Sequence, residues 1–164
     1  MMKKLILAVM AIVIAAPALA DTNIGVVDLR RALFSSDSAQ VFSKKLQSEF
    51  SDDEAKVRDA QEEARKLKER LEKDGAMMNE TERNELGSKF KEKVQEFNYL
   101  KQRLDSSVNG RKQAFLEEAR PKVDEAVKAL LKEHDLDLVL PSEAVVYSKP
   151  DMDLTEELIK KLNK

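Results

Sequence analysis

Val41 to Lys73 reads VFSKKLQSEFSDDEAKVRDAQEEARKLKERLEK, with no glycine or proline. Apolar residues recur at Phe42, Leu46, Phe50, Val57, Ala60, Ala64, Leu67 and Leu71. From Val57 onward their spacing alternates between three and four residues, the seam of a heptad helix. Between Phe50 and Val57 the seam position falls on Asp53 or Glu54, so the repeat is interrupted there. Lys73-Asp74-Gly75 has the form of a helix end, with a cation in the last turn and glycine just past it. Asn79 with Glu82 three residues later is a variant of the capping box and opens a second helix. That helix carries Leu86, Phe90, Val94, Phe97, Leu100, Leu104 and Val108 on one side, weakened only by Gly87 and Gly110.

If the chain folds back at the 75–78 turn, facing residues have numbers with a constant sum. Ala64 with Phe90, Ala60 with Val94, Val57 with Phe97, Phe50 with Leu104 and Leu46 with Val108 all sum to 154. The same register sets Asp53 opposite Lys101, an opposed charge pair at the polar gap. Small residues facing large ones keep a narrow seam evenly spaced. The expectation is an antiparallel helical hairpin over 40–114, each arm roughly 54 Å long at about 1.5 Å per residue. Its seam is formed by Leu46, Phe50, Val57, Ala60 and Ala64 against Phe90, Val94, Phe97, Leu104 and Val108.

Composition agrees with an elongated helical protein. Of 164 residues, 37% are charged and 5% aromatic, with 4 Gly, 4 Pro and no Trp. The net charge of −2 argues against a nucleic-acid partner, since phosphate contacts call for a basic excess. The absence of Cys excludes disulfides, thiolate nucleophiles and Cys-based metal sites. The acid clusters Asp52-Asp53-Glu54 and Glu62-Glu63 read as solvated helix surface, and no nucleophile elbow is present. No enzyme activity, cofactor or metal is expected.

Residues 1–20 have the form of a cleaved signal peptide. Lys3 and Lys4 precede an apolar run from Leu5 to Ala16, and Pro17 leads into Ala18-Leu19-Ala20. Cleavage is expected between Ala20 and Asp21. The run is shorter than the ~20 residues of a membrane span. Removing Lys3 and Lys4 leaves 27 basic residues against 31 acidic ones, a charge of −4. An exported protein works without ATP, so any handling of other proteins rests on binding equilibrium alone.

The flanks of the hairpin form a β-rich body, 21–39 with 115–164. Strands are expected at Ile24–Leu29, Leu136–Leu140 and Ala144–Tyr147, and Ser35, Ser36 or Asp37 as a helix cap. A kink or restart is expected at Pro121, with a wider apolar face from Val123 to Leu131. Asp153 with Glu156 has capping-box spacing ahead of a C-terminal helix carrying Leu154, Leu158, Ile159 and Leu162. Three strands with open edges make a poor core for one chain. Several copies pairing their strands solve both problems, so a cyclic homo-oligomer is expected. The fold class is α+β: a coiled-coil arm on a small β body formed by oligomerisation.

The residues resemble a known family. Ile24–Phe34, IGVVDLRRALF, is similar to the opening of the Skp/OmpH periplasmic chaperones. His134–Leu140, Ala144–Tyr147 and Asp153-Leu154-Thr155 before a Lys-ended helix resemble that family's closing segment. The resemblance implies a periplasmic homotrimer whose strands form a central barrel. It also implies helical arms enclosing unfolded outer-membrane β-barrel proteins as an ATP-independent holdase. A cell-envelope scaffold or adaptor built on a coiled coil is the alternative. The better-known relatives have basic arms suited to lipopolysaccharide and anionic membranes. Here the tip is Gly75-Ala76-Met77-Met78-Asn79 and the returning arm has Arg103-Leu104-Asp105-Ser106-Ser107, so that contact is not carried over.

Three residues stand out as client contacts. Met77 and Met78 at the tip are adaptable side chains that either meet a client or pack under the turn. Tyr99 has no apolar partner in the 154 register and faces either the cavity or a neighbouring helix. His134 beside Asp135 reads as a surface residue ending a helix or as a pH-sensitive pair. The densest basic stretch of the outgoing arm is Arg65, Lys66, Lys68 and Arg70.

Overall fold

The computed structural model describes residues 22–164, so the expected cleavage site at Ala20 and Asp21 lies outside it. The order is β1 (Ile24–Val27), α1 (Leu29–Ser35), α2 (Asp37–Asp74), α3 (Glu80–Glu133), β2 (Leu138–Pro141) and α4 (Thr155–Leu162). Single 3₁₀ turns at Ser142–Ala144 and Pro150–Met152 lie between β2 and α4. Among the described residues no helix is long and apolar enough to cross a membrane.

Capping side chains set the helix boundaries. Asp28 accepts from the Arg31 amide at 2.8 Å and ends β1 two residues short of the expected Leu29, which belongs to α1 instead. Ser36 is the cap among the three candidates. Its hydroxyl accepts from the Ala39 amide and donates to the Leu33 carbonyl at 2.6 Å, closing α1 while opening α2. Asn79 and Glu82 form both bonds of a capping box, at 2.9 and 3.1 Å.

α2 and α3 run antiparallel and meet along their length. At about 1.5 Å per residue they are roughly 57 and 81 Å long, from 38 and 54 residues. α3 runs through Pro121 without the expected restart. Residues 117, 118 and 120–122 are exposed, so the Glu117 carbonyl left without an N–H partner faces water. The helix ends at His134, followed by Asp135 at φ 48° and a Leu136 amide bonded to the Leu131 carbonyl at 2.9 Å. This is the Schellman closure with an aspartate in the left-handed position.

β1 and β2 are parallel, with Ile24 opposite Leu138 and Val27 opposite Pro141, and the whole hairpin is their crossover. Gly25 is required by close approach. A Cβ there would lie 2.9 Å from a methyl of Leu136 and 2.9 Å from one of Leu154. The expected third strand at Ala144–Tyr147 is absent. Pro141 has no amide to continue the ladder, and Ser142–Ala144 turns as a 3₁₀ helix. The second neighbour of β1 is instead Asp153, bridged to Val26, with the Leu154 amide donating to the Val26 carbonyl at 2.9 Å.

The expected Asp153–Glu156 capping box is also absent. α4 starts at Thr155, whose amide and hydroxyl both donate to Asp153 Oδ1, at 2.9 and 2.5 Å. Glu156 pairs with Arg31 of α1. The Thr155 hydroxyl also accepts from the Asp28 amide at 2.9 Å, tying the start of α4 to the end of β1. Around this tie packs the core of Val27, Ala32, Ala126, Leu130, Leu154 and Leu158.

The Thr155 hydroxyl and amide, with the Arg31 charge behind them, hold the Asp153 carboxyl below the usual carboxylate range. A carboxyl depressed on folding stabilises the fold above its unfolded pKa, and that contribution disappears as pH falls through the lower folded value. Asp153→Asn should therefore melt below wild type at neutral pH, and the gap should narrow as pH falls below the ordinary aspartate value of about 3.9. Melting curves across pH 2–7 decide it; a gap that persists undiminished at pH 2 would place the effect in packing.

Candidate functional site

The arm is polar outside and thinly apolar inside. Of the expected seam residues, Phe50, Ala60 and Ala64 are buried. Leu46, Val57, Phe90, Val94, Phe97, Leu104 and Val108 are half-buried. A seam whose facing pairs sum to 154 places the flanking residue just before each a-type position at a sum of 156. Lys93 and Glu63 have that sum and are joined across the arms at 2.8 Å. Glu63 and Glu96 push the Lys93 ammonium well above the ordinary lysine range. Near the foot, Arg111 bonds Glu49 at 3.0 Å and Phe42 stacks on Phe115 at 4.4 Å, so the arms stay in contact to the body.

The expected opposition of Asp53 and Lys101 is not formed. Lys56, one turn along the same helix, bonds Asp53 at 2.8 Å, and Lys101 bonds Asp105 at 2.6 Å. Partners three or four residues away on one helix are within reach without spanning the seam. Lys56 lowers the Asp53 carboxyl, with a smaller contribution from Arg103 on the other arm. The basic stretch is also neutralised within its own helix. Arg65 bonds Glu69, Lys66 bonds Glu62 and Lys68 bonds Glu72, at 2.6, 2.8 and 3.7 Å.

The structure separates the two tip methionines. Met77 is 82% exposed, whereas Met78 is half-buried beside Arg70, Glu82 and Leu86. Tyr99 is 61% exposed, about a third of the way along α3. These side chains lie at separate points of the arm and form no pocket together. At the foot, Leu33, Val41, Phe42, Phe115, Ala119 and Leu162 line a groove of about 380 Å³. In the body, Leu138, Val146 and Tyr147 are exposed, the last two at 105% and 84%. Sequence reasoning placed Val146 and Tyr147 in a strand and so missed their exposure; their β-branched and aromatic character was the available signal.

His134, expected at a helix end, is there, and its partner is Glu157 of α4 at 2.7 Å and not Asp135. Glu133 beside it bonds Lys161 at 2.6 Å, which lowers the Glu133 carboxyl. These two ties link the end of α3 to α4. Nothing in local sequence marks them, because the partners are 23 and 28 residues apart.

Comparison with known proteins places this architecture. The chain is 29% identical to a Skp-like protein of Pseudomonas aeruginosa over 154 residues, 93% of this chain and 92% of that one. It is 25% identical to the chaperone protein Skp of Vibrio cholerae over 138 residues, 84% of this chain and 82% of the relative. The fold matches the crystal structure of an OmpH-like protein of Caulobacter crescentus with a TM-score of 0.61. That match has 16% identity and covers 90% of this chain and 86% of that one. The family model for OmpH-like outer membrane proteins matches residues 23–162, from the start of β1 to the end of α4, and the chain belongs to that family.

Proposed function

We propose that this protein is an ATP-independent periplasmic holdase that keeps unfolded outer-membrane β-barrel proteins soluble, acting as a homotrimer after removal of residues 1–20. The observation that carries the reading is the long, free-standing hairpin in a chain whose relatives include proteins named chaperone protein Skp. The arm covers 40–114, and the body is 21–39 with 115–164. A hairpin with a thin seam has little apolar surface of its own to protect. It offers scattered apolar contacts, of which Met77, Met78 and Tyr99 are the assigned client contacts. Precursor strands carry alternating apolar faces and open edges that aggregate when they meet. Arms arranged around a cavity separate them, and many weak contacts sum to useful affinity.

Charge enters weakly. Three cations of the 65–70 stretch are paired within α2, so client capture rests on apolar contact. Diluting a urea-unfolded β-barrel protein into buffer with and without the mature chain tests the reading by light scattering. Stoichiometric suppression of aggregation, with affinity held or raised from low salt to about 0.15 M, is expected. Binding of folded barrels and not unfolded ones would establish a scaffold instead. A steep loss of affinity with salt would show that residual basic groups dominate.

A further inference from the structure

Glu133 and His134 at the end of α3, and Glu157 on α4, each bring one ligand-type atom into a cluster in which all lie within 4.8 Å of one another. We propose that this cluster binds a borderline divalent cation of the Zn²⁺ type, and that the ion clasps the C-terminal helix to the end of the long arm helix. The site is independent of the chaperone reading and concerns how the body is held closed.

The donor set is the first argument. One imidazole nitrogen with two carboxylate oxygens is a combination that Zn²⁺ and its neighbours accept. Ligand bonds of about 2.0–2.2 Å in tetrahedral geometry put donors roughly 3.4 Å apart, so the most distant pair must close by up to about 1.4 Å while the 2.7 Å His134–Glu157 pair opens. The side chains can supply it, since His134, Glu157 and Glu133 keep 35%, 44% and 59% of their surface exposed. That exposure also leaves room for water to complete the coordination.

Position is the second argument. His134 is the C-cap of α3, at φ −101° and ψ 6°, so its ring departs from the helical path and reaches Glu157 Oε2 at 2.7 Å. The carbonyl end of a long helix favours a cation. Lys161 opposes it, with its ammonium 2.6 Å from Glu133 Oε1. A carboxylate can hold a lysine on one oxygen and an ion on the other, and Lys161 is bonded to Oε1 alone. Lys161 is therefore expected to limit affinity without blocking the site.

Composition makes the test clean. The chain has one His and no Cys, so any imidazole- or thiolate-dependent metal binding has a single possible location. Untagged mature protein is titrated with ZnCl₂ by calorimetry, while the histidine ring signals are followed by NMR. One ion per chain is expected, with a shift of the His134 ring signals and a melting temperature that rises with Zn²⁺. His134→Gln should weaken binding at least ~10-fold. Lys161→Gln should tighten it roughly fivefold by removing one nearby positive charge, an effect that a purely structural role for Lys161 would not produce. If His134→Gln fails to fold by circular dichroism, Glu157→Gln takes its place with the same expected loss. Absence of heat above dilution in millimolar ZnCl₂ would overturn the proposal. Undiminished binding in His134→Gln or Glu157→Gln, or a His134 ring that does not respond, would assign the ion to scattered surface carboxylates and overturn it equally.

Discussion

Leu158→Ala should lower the unfolding free energy of the body by about 2–5 kcal/mol, the cost of a buried leucine and the cavity it leaves. Leu158 is 0% exposed, at the centre of a core shared by β1, α1, α3 and α4. The core around it is small: six buried residues, two of them alanines, with the half-buried Val127, Leu136, Val139, Ile159 and Leu162 packed against them. Small domains hold about 5–15 kcal/mol in total, so one truncation removes a large share. The loss should be local. α4 contacts the body and the end of α3, whereas the arm is held by its own seam and by pairs such as Glu63 with Lys93. Urea titration followed by proteolysis distinguishes the parts. The expected result is early cleavage beyond residue 150 with most helical signal retained. A change below about 1 kcal/mol, or loss of arm and body together, would contradict an arm and body held by separate contacts.

The pair of long antiparallel helices was legible in the sequence because periodicity reports it directly. A three-four spacing on both sides of a glycine turn leaves few ways to fold, and the Asn79–Glu82 box marks where the second helix starts. The body was read less well, for identifiable reasons. Ile24 to Leu29 looks like one apolar run, and only the Asp28 side chain, turned to the Arg31 amide, separates strand from helix. Asp153 and Glu156 have the spacing of a capping box, but Glu156 finds Arg31 across the body, and Thr155 takes the bonds that a cap would have made. Pro121 predicts an interruption when read alone; on an exposed turn of a continuous helix, the carbonyl that loses its N–H partner is open to solvent. Of the contact candidates, Met77 and Tyr99 are exposed as a client contact requires, while Met78 is half-buried under the turn. Contacts between residues far apart in sequence, such as His134 with Glu157, leave no local trace.

Replacing Val146 and Tyr147 together with lysine should convert the assembled protein to monomers while leaving each protomer folded. Val146 is 105% exposed and Tyr147 is 84% exposed, adjacent residues of strand-forming type with no cover from their own chain. Val145 before them has extended backbone, at φ −114° and ψ 123°. β1 has β2 on one side and Asp153 on the other, so the sheet's open edge is that of β2, a few residues before this segment. A second copy that covers this surface would pair the edge and remove both side chains from water. Fully burying a large apolar side chain contributes roughly 1.5–3 kcal/mol, and cyclic symmetry repeats that gain at every interface. Lysine forfeits it and adds an ammonium that the interface must desolvate. Neither residue belongs to the buried core, so circular dichroism should be unchanged. Multi-angle light scattering should then report the mass of a trimer for the wild type and of one chain for the double variant. Glu143→Lys, which alters charge at an exposed neighbouring position without removing apolar surface, should leave the mass as it was. An unaltered mass in the double variant would move the subunit contact away from this segment, and the groove at the foot of the arm would become the next surface to test.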